Sequence, residues 1–250
     1  MTTTHSDVPK LGFIRTYIFS TDHKVIGIQY ALTALAFMLF GFTLMIMMRW
    51  QLAYPGEPLP IVGGDRIEVL DEEGRPTGEF EYDREPMIDE NNPFLPNGIM
   101  VPEFYNSLGA MHGTIMIFLG VVPMLTGAFA NYLVPLQIGA PDMAFPRMNM
   151  LSYWTYFVGG VIMLSSFFLP AGPPNSGWTS YPPLSVIATH GQTVWLIAMV
   201  FVITSSLFGS INLIVTIVQL RAEGLSFMRL PFLVWTQFVS AFLLLLAFPP

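Results

Sequence analysis

Two ionisable residues stand where a hydrophobic chain has reason to avoid them. His112 opens a long apolar run, and Asp142 sits in the turn that follows it, Gly139-Ala140-Pro141-Asp142. An imidazole can ligate a metal or carry a proton, and a carboxylate can capture a proton. Ionisable groups at membrane depth are costly, and each marks a functional site by default. If the chain between them is helical throughout, they lie ~45 Å apart, at opposite faces of a bilayer.

The neighbours of His112 are Gly113, Met116 and Phe118, not carboxylates. Two readings stand side by side. The side chain is a hydrogen-bonded packing residue, or it is an axial ligand of a haem, which needs one imidazole from a given helix and an apolar slot. Zinc is disfavoured, since no second His or Cys stands at i+3 or i+4. Gly113, Gly120 and Gly127 recur every seven residues along one side. That stripe admits either a neighbouring helix or a flat ligand. Arg49 and Trp178 fall on the same outer side as His112 and could meet anionic substituents of such a ligand.

Around Asp142 the sequence supplies amides and hydroxyls: Asn131, Asn149 and Ser152, with Ser205, Gly209 and Asn212 at i, i+4 and i+7. Such groups carry no proton far, but they order water into a relay. The alternatives are a capping Asp at a helix end and plain interhelical hydrogen bonding.

The elements that must position these residues follow from composition. The 250 residues are 53% hydrophobic and 11% charged, against about 25% charged in soluble domains. The fold class is all-α, a polytopic transmembrane bundle. With no cysteine, disulfides, Cys-ligated zinc and iron–sulfur clusters are excluded. Sixteen Met suit a packed bundle. The first 25 or so residues lack the pattern of a cleaved signal peptide.

The pattern predicts an N-terminal segment over 1–24, spans over 25–49, 107–136, 149–169, 192–220 and 231–250, and turns or loops at 50–106, 137–148, 170–191 and 221–230. Ser20-Thr21-Asp22 offers N-cap chemistry for the first span. Pro123 interrupts the second, tolerated where neighbours satisfy the freed carbonyl. The loop over 50–106 is acidic, and Ile67–Leu70, Asp71–Gly74 and Glu79–Tyr82 read as a hairpin. It is either a docking face for a basic partner or a solvated insertion. Lys10, Arg15, Lys24, Arg147, Arg221 and Arg229 gather on one side, which the positive-inside rule makes cytoplasmic. The N-terminus is then cytoplasmic, and the acidic and Trp178 loops are extracytoplasmic. Arg49, at the outer end of its span, calls for an anionic partner.

Several stretches together resemble subunit I of the haem–copper oxidases, in the cytochrome c oxidase branch. They are Ser20-Thr21-Asp22-His23-Lys24 through Ile26-Gly27, the His112 helix, Gly139 to Asn149, Gly177-Trp178 with Tyr181-Pro182-Pro183-Leu184, and Ser205 to Asn212. The resemblance implies a reaction, reduction of O2 to water with electrons from cytochrome c, coupled to proton pumping. It implies that His112 is an axial ligand of the low-spin haem, with haem a the expected type, and that Arg49, Trp178 and Tyr181 bind that haem's substituents. It implies a D-type proton pathway of Asp142, Asn131, Asn149, Ser152, Ser205, Ser206 and Asn212, with Tyr30 beside it. Where the quinol branch carries its quinone-binding residues, this chain has Phe40, Leu44, Phe104 and Ser107, which favours cytochrome c as donor.

The resemblance further implies subunits II and III as partners, with membrane lipid and O2 but no nucleic acid, in a bacterial inner membrane. The family's protein is about twice as long with twelve spans, so five are visible here. The high-spin haem, copper B and their ligands are expected in the part beyond the fifth span, and the chain reads as an N-terminal portion without the oxygen-reduction site. The competing readings are an ion-coupled secondary transporter and a haem-bearing electron-transfer subunit without oxygen chemistry. The first lacks an internal repeat and a midplane carboxylate. A nitric oxide reductase fits poorly with the full set of proton-pathway residues.

Overall fold

The computed structural model describes residues 12–64, 66–71, 73–82, 87–188 and 191–247. Lys10, Asp65, Glu72, Asp83, Arg84, Glu85 and the final Phe248-Pro249-Pro250 lie outside the described residues. Five long helices and one hairpin make up the architecture. They are α1 (His23–Ala53), the hairpin of β1 (Arg66–Leu70) and β2 (Pro76–Tyr82), α2 (Pro102–Ile138), α3 (Pro146–Phe168), α4 (Gly191–Gln219) and α5 (Phe232–Ala247). The first four helices are long and apolar enough to cross a membrane. The expected fifth span appears as the shorter α5, and its expected continuation falls on residues that are not described.

Helix α1 starts where Asp22 caps it. The carboxylate accepts the backbone N–H groups of Lys24 and Val25 at 2.7 and 3.3 Å, satisfying donors that a helix start leaves open. Its outward positions are Leu32, Leu35, Leu39, Phe42 and Ile46. Spaced three and four apart, they form the apolar stripe that hydrocarbon accepts and water does not. Helix α2 opens with Pro102 and Glu103, residue types suited to a helix N-terminus. It ends at Gly139, whose φ of +73° is left-handed, the usual geometry of a helix stop. Between these ends, Ile115–Val121 and Pro123–Phe129 are wound as wide π turns. Gln237 in α5 reaches the carbonyl of Leu125 at 3.4 Å, so a neighbouring side chain attends to the interrupted stretch. The hairpin appears as expected: β1 and β2 pair antiparallel, with Ile67 opposite Glu81.

The chain forms two compact units, and each of α1–α4 contributes residues to both. Of the described residues, the first takes those within 12–33, 123–157 and 203–247, the second those within 34–122 and 158–202. The core of the first gathers Val134, Ile138, Met143, Leu213, Ile217 and Val234. The core of the second includes Leu108, Met111, Ile115, Leu119, Met163 and Ala198.

Candidate functional site

In the second unit the site is built around His112. Gly41 of α1 presents its carbonyl oxygen 2.9 Å from Nδ1 of His112. A carbonyl only accepts, so Nδ1 carries a proton, and in the neutral ring Nε2 keeps its lone pair. The partner of one ring nitrogen thereby fixes the role of the other. Close helix approach makes this possible: a Cβ on Gly41 would lie 2.9 Å from the sulfur of Met116.

The residue after His112 is Gly113, and its missing side chain admits Trp178. A Cβ there would stand 3.1–3.3 Å from Cδ1, Cβ and Cγ of that indole. Phe118 lies on the same ring, with centroids 6.3 Å apart. One residue further, Thr114 accepts the indole N–H of Trp195 at 3.2 Å. Trp178 thus packs on α2 at the residue next to His112 in sequence. Arg49 and Tyr181 are exposed and make no side-chain hydrogen bond or ion pair among the described residues.

The glycine stripe does not form an open slot. Trp178 fills the space at Gly113, Met38 that at Gly120 and, in the first unit, Tyr30 that at Gly127. Large side chains on neighbouring segments already close on the glycines. Of the two readings of the stripe, packing is the one these contacts support.

In the first unit a buried hydroxyl cluster joins three of the expected residues. The phenol of Tyr30 lies 2.8 Å from Ser152 Oγ and 3.3 Å from Ser205 Oγ. The two serines also bond reciprocally across α3 and α4: Ser152 donates to the Ser205 carbonyl at 2.9 Å, and Ser205 to the Ser152 carbonyl at 2.7 Å. Each hydroxyl can donate and accept, so the cluster can exchange partners without leaving a polar atom bare. Ser206 is half-buried beside it in sequence.

The turn that carries Asp142 is clamped from α4. Asn212, fully buried, accepts the Phe145 N–H at 2.9 Å and donates to the Phe145 carbonyl at 3.3 Å. Thr216, one turn on, accepts the Ala144 N–H at 2.9 Å. Both ends of the Asn212 amide are therefore engaged with backbone. Asp142 is half-buried, and its Oδ1 accepts the N–H of Met143 at 2.7 Å, a local cap that leaves the rest of the carboxylate available.

Asn131 and Asn149 behave differently. Asn131 donates to the Gly127 carbonyl at 2.6 Å, but its Oδ1 has no partner. Asn149 is 1% exposed, and neither end of its amide has a partner. Buried polar groups are as a rule satisfied by protein or by ordered water, so these amides fit water ligands. His23, buried at 3% exposure, places Nδ1 2.8 Å from the Asn131 carbonyl. Its role is not legible from type and spacing alone. Thr216 is, because it continues the i, i+4, i+7 stripe of Ser205, Gly209 and Asn212 by one further turn.

Fold and site together define a multi-pass helical membrane protein with a pinned, half-buried histidine and a separate cluster of buried amides and hydroxyls. Comparison with known proteins carries this to a family. The family described as Cytochrome C and Quinol oxidase polypeptide I matches residues 25–250. Cytochrome c oxidase subunit 1 of Thermostichus vulcanus is 39% identical over 234 residues, 93% of this chain and 35% of that protein. Its counterpart in Synechocystis sp. is 36% identical over 242 residues, 96% of this chain and 36% of that protein. An alternative cytochrome c oxidase subunit 1 of Bradyrhizobium diazoefficiens is 37% identical over 238 residues, 93% and 34% of the two chains. The chain belongs to the cytochrome c and quinol oxidase polypeptide I family. It spans about a third of the length of the curated relatives it matches.

Proposed function

We propose that this chain serves in the catalytic subunit of a terminal respiratory oxidase, which reduces O2 to water with electrons from cytochrome c and pumps protons. The observation that carries this reading is the Nδ1 bond of His112 to the Gly41 carbonyl. It sets the tautomer and ring orientation that an iron-binding imidazole needs. His112 would hold a low-spin haem, haem a being the type the resemblance favours, and Arg49, Trp178 and Tyr181 would meet its substituents. Bound haem supplies one-electron transfer. Among the described residues no group of three or more His, Cys, Asp or Glu could hold a metal ion. The high-spin haem and copper B of this reading need ligands beyond these residues.

Proton delivery is the part assigned to the first unit. Asp142 would accept a proton at the cytoplasmic face. Asn131 and Asn149 would order water through their unpartnered amide atoms, with Ser206 alongside, and Tyr30, Ser152 and Ser205 would continue the path as a hydroxyl chain. Asn212 would act by holding the turn that carries Asp142. The donor reading is supported by Phe40, Leu44, Phe104 and Ser107. Three are apolar, and the Ser107 hydroxyl is engaged with the carbonyls of Glu103 and Pro173, which suits cytochrome c better than a quinone. Subunits II and III are the expected partners, in a bacterial inner membrane with the N-terminus cytoplasmic.

The test is a reduced-minus-oxidised spectrum of the purified membrane complex, with haem extraction, copper analysis and oxygen uptake driven by reduced cytochrome c. Two haems, copper and donor-dependent uptake are expected. A complex without haem would return His112 to a packing role and end this reading.

A further inference from the structure

One buried network lies outside everything assigned so far. Ser176 donates its hydroxyl to Oε1 of Gln192 at 2.6 Å, and Nε2 of Gln192 donates to Ser180 Oγ at 2.6 Å. Gln192 is 6% exposed and Ser176 5%. The two serines flank Gly177-Trp178-Thr179, so a single amide spans the segment that carries Trp178. The backbone there is reversed on both sides of the indole, with φ of +79° at Gly177 and +52° at Ser180. Left-handed geometry is unfavourable for serine, and a bond to its own hydroxyl is a reason for it to persist. The first turn of α4 fastens a second point: Trp195, three residues after Gln192, bonds Thr114. Gln192 and Trp195 thus hold, respectively, the loop above Gly113 and the helix just after it.

We infer that Gln192 is a positioning residue: through Ser176 and Ser180 it seats Trp178 on the Gly113 backbone and so sets the surroundings of the adjacent His112. An amide can do this, since it accepts from one serine and donates to the other at once. Leucine of similar size would leave the buried Ser176 hydroxyl and the half-buried Ser180 hydroxyl without that partner, and the loop would relax outward to hydrate them. The seating of Trp178 stands on this geometry alone; the consequence for His112 rests on the haem reading.

The experiment uses the full complex with Gln192→Leu and Gln192→Glu. Glutamate can accept from both serine hydroxyls and is the conservative rescue. Oxidative footprinting with mass spectrometry reads the accessibility of Trp178 and needs no haem. The low-spin haem band and its midpoint potential read the consequence at His112. Trp178 is 45% exposed with the loop seated, so in Gln192→Leu its labelling is expected to rise by up to about twofold and the band and potential to shift, with haem content retained. Gln192→Glu is expected to return both toward wild type. Unchanged Trp178 labelling in Gln192→Leu would overturn the proposal. Increased labelling with an unmoved band and potential would overturn the role toward His112. If Gln192→Leu does not assemble, Ser176→Ala and Ser180→Ala each remove one of the two bonds, and no change in labelling in either would be equally fatal. A wild-type complex without haem would defeat the proposed function while leaving the footprint to judge the seating of Trp178.

Discussion

The two units differ in how they treat buried polar groups. In the second, His112, Thr114, Ser107, Ser176 and Gln192 have named protein partners, Nε2 of His112 is left over, and among the described residues of that unit Gln51 Oε1 is buried without a partner. In the first, Tyr30, Ser152, Ser205 and Asn212 are paired, but Asn131 leaves one polar atom bare, Asn149 two and Gln237 one. A region that holds a ligand in one orientation benefits from pairing the groups around the bond it offers. A region that passes protons benefits from leaving sites for water. On the proposed reading the difference separates a binding site from a water-ordered relay, and substitutions can break it on either side.

The largest effect is expected at the single offered nitrogen. His112→Ala removes it, and the low-spin haem spectrum should disappear from the purified complex. Asp142→Asn keeps the cap to Met143 but removes the proposed proton acceptor. Turnover coupled to proton uptake should fall by about 10²-fold with haem content unchanged, as followed by oxygen uptake and pH-indicator release. Asn212→Leu leaves the Phe145 N–H and carbonyl without their side-chain partner. Stability should drop by about 2 kcal/mol, read from thermal unfolding in detergent. Gly113→Ala forces a methyl against Trp178, and the expected loss is about 1–2 kcal/mol with greater Trp178 accessibility. Asn149→Leu is the smallest and the most discriminating. It removes an amide with no protein partner, so stability should change by less than about 1 kcal/mol while proton uptake slows. A large stability loss there would mean that Asn149 is a structural bond and not a water site.

Much of this was legible in the sequence because hydrocarbon imposes strict rules. The long apolar runs pointed to five spans, of which four are long and apolar enough to cross a membrane and the fifth is the shorter α5; the acidic segment showed a hairpin through its alternation, and Asp22 stood where a cap was needed. Helix ends were less legible: α1 continues to Ala53 and α2 begins at Pro102, because polar residues at a membrane surface can extend a helix without an apolar signature. The glycine stripe left two readings open, packing or a flat ligand, and only the fold shows which side chains pack there: Trp178, Met38 and Tyr30. His112, Asp142 and the Ser205 stripe could be picked out by type and spacing. Gly41 and Gln192 could not. Gly41 acts through a carbonyl that every residue has, and Gln192 acts through serines far enough away in sequence that only the fold brings them together.

The most direct test of the account replaces the histidine ring with a space that free imidazole can fill. His112→Gly complexes would be reduced and their optical spectra recorded with and without added imidazole. The account expects the low-spin band to be absent without imidazole and to return on its addition. A wild-type low-spin band in the His112→Gly complex before any imidazole is added would contradict it.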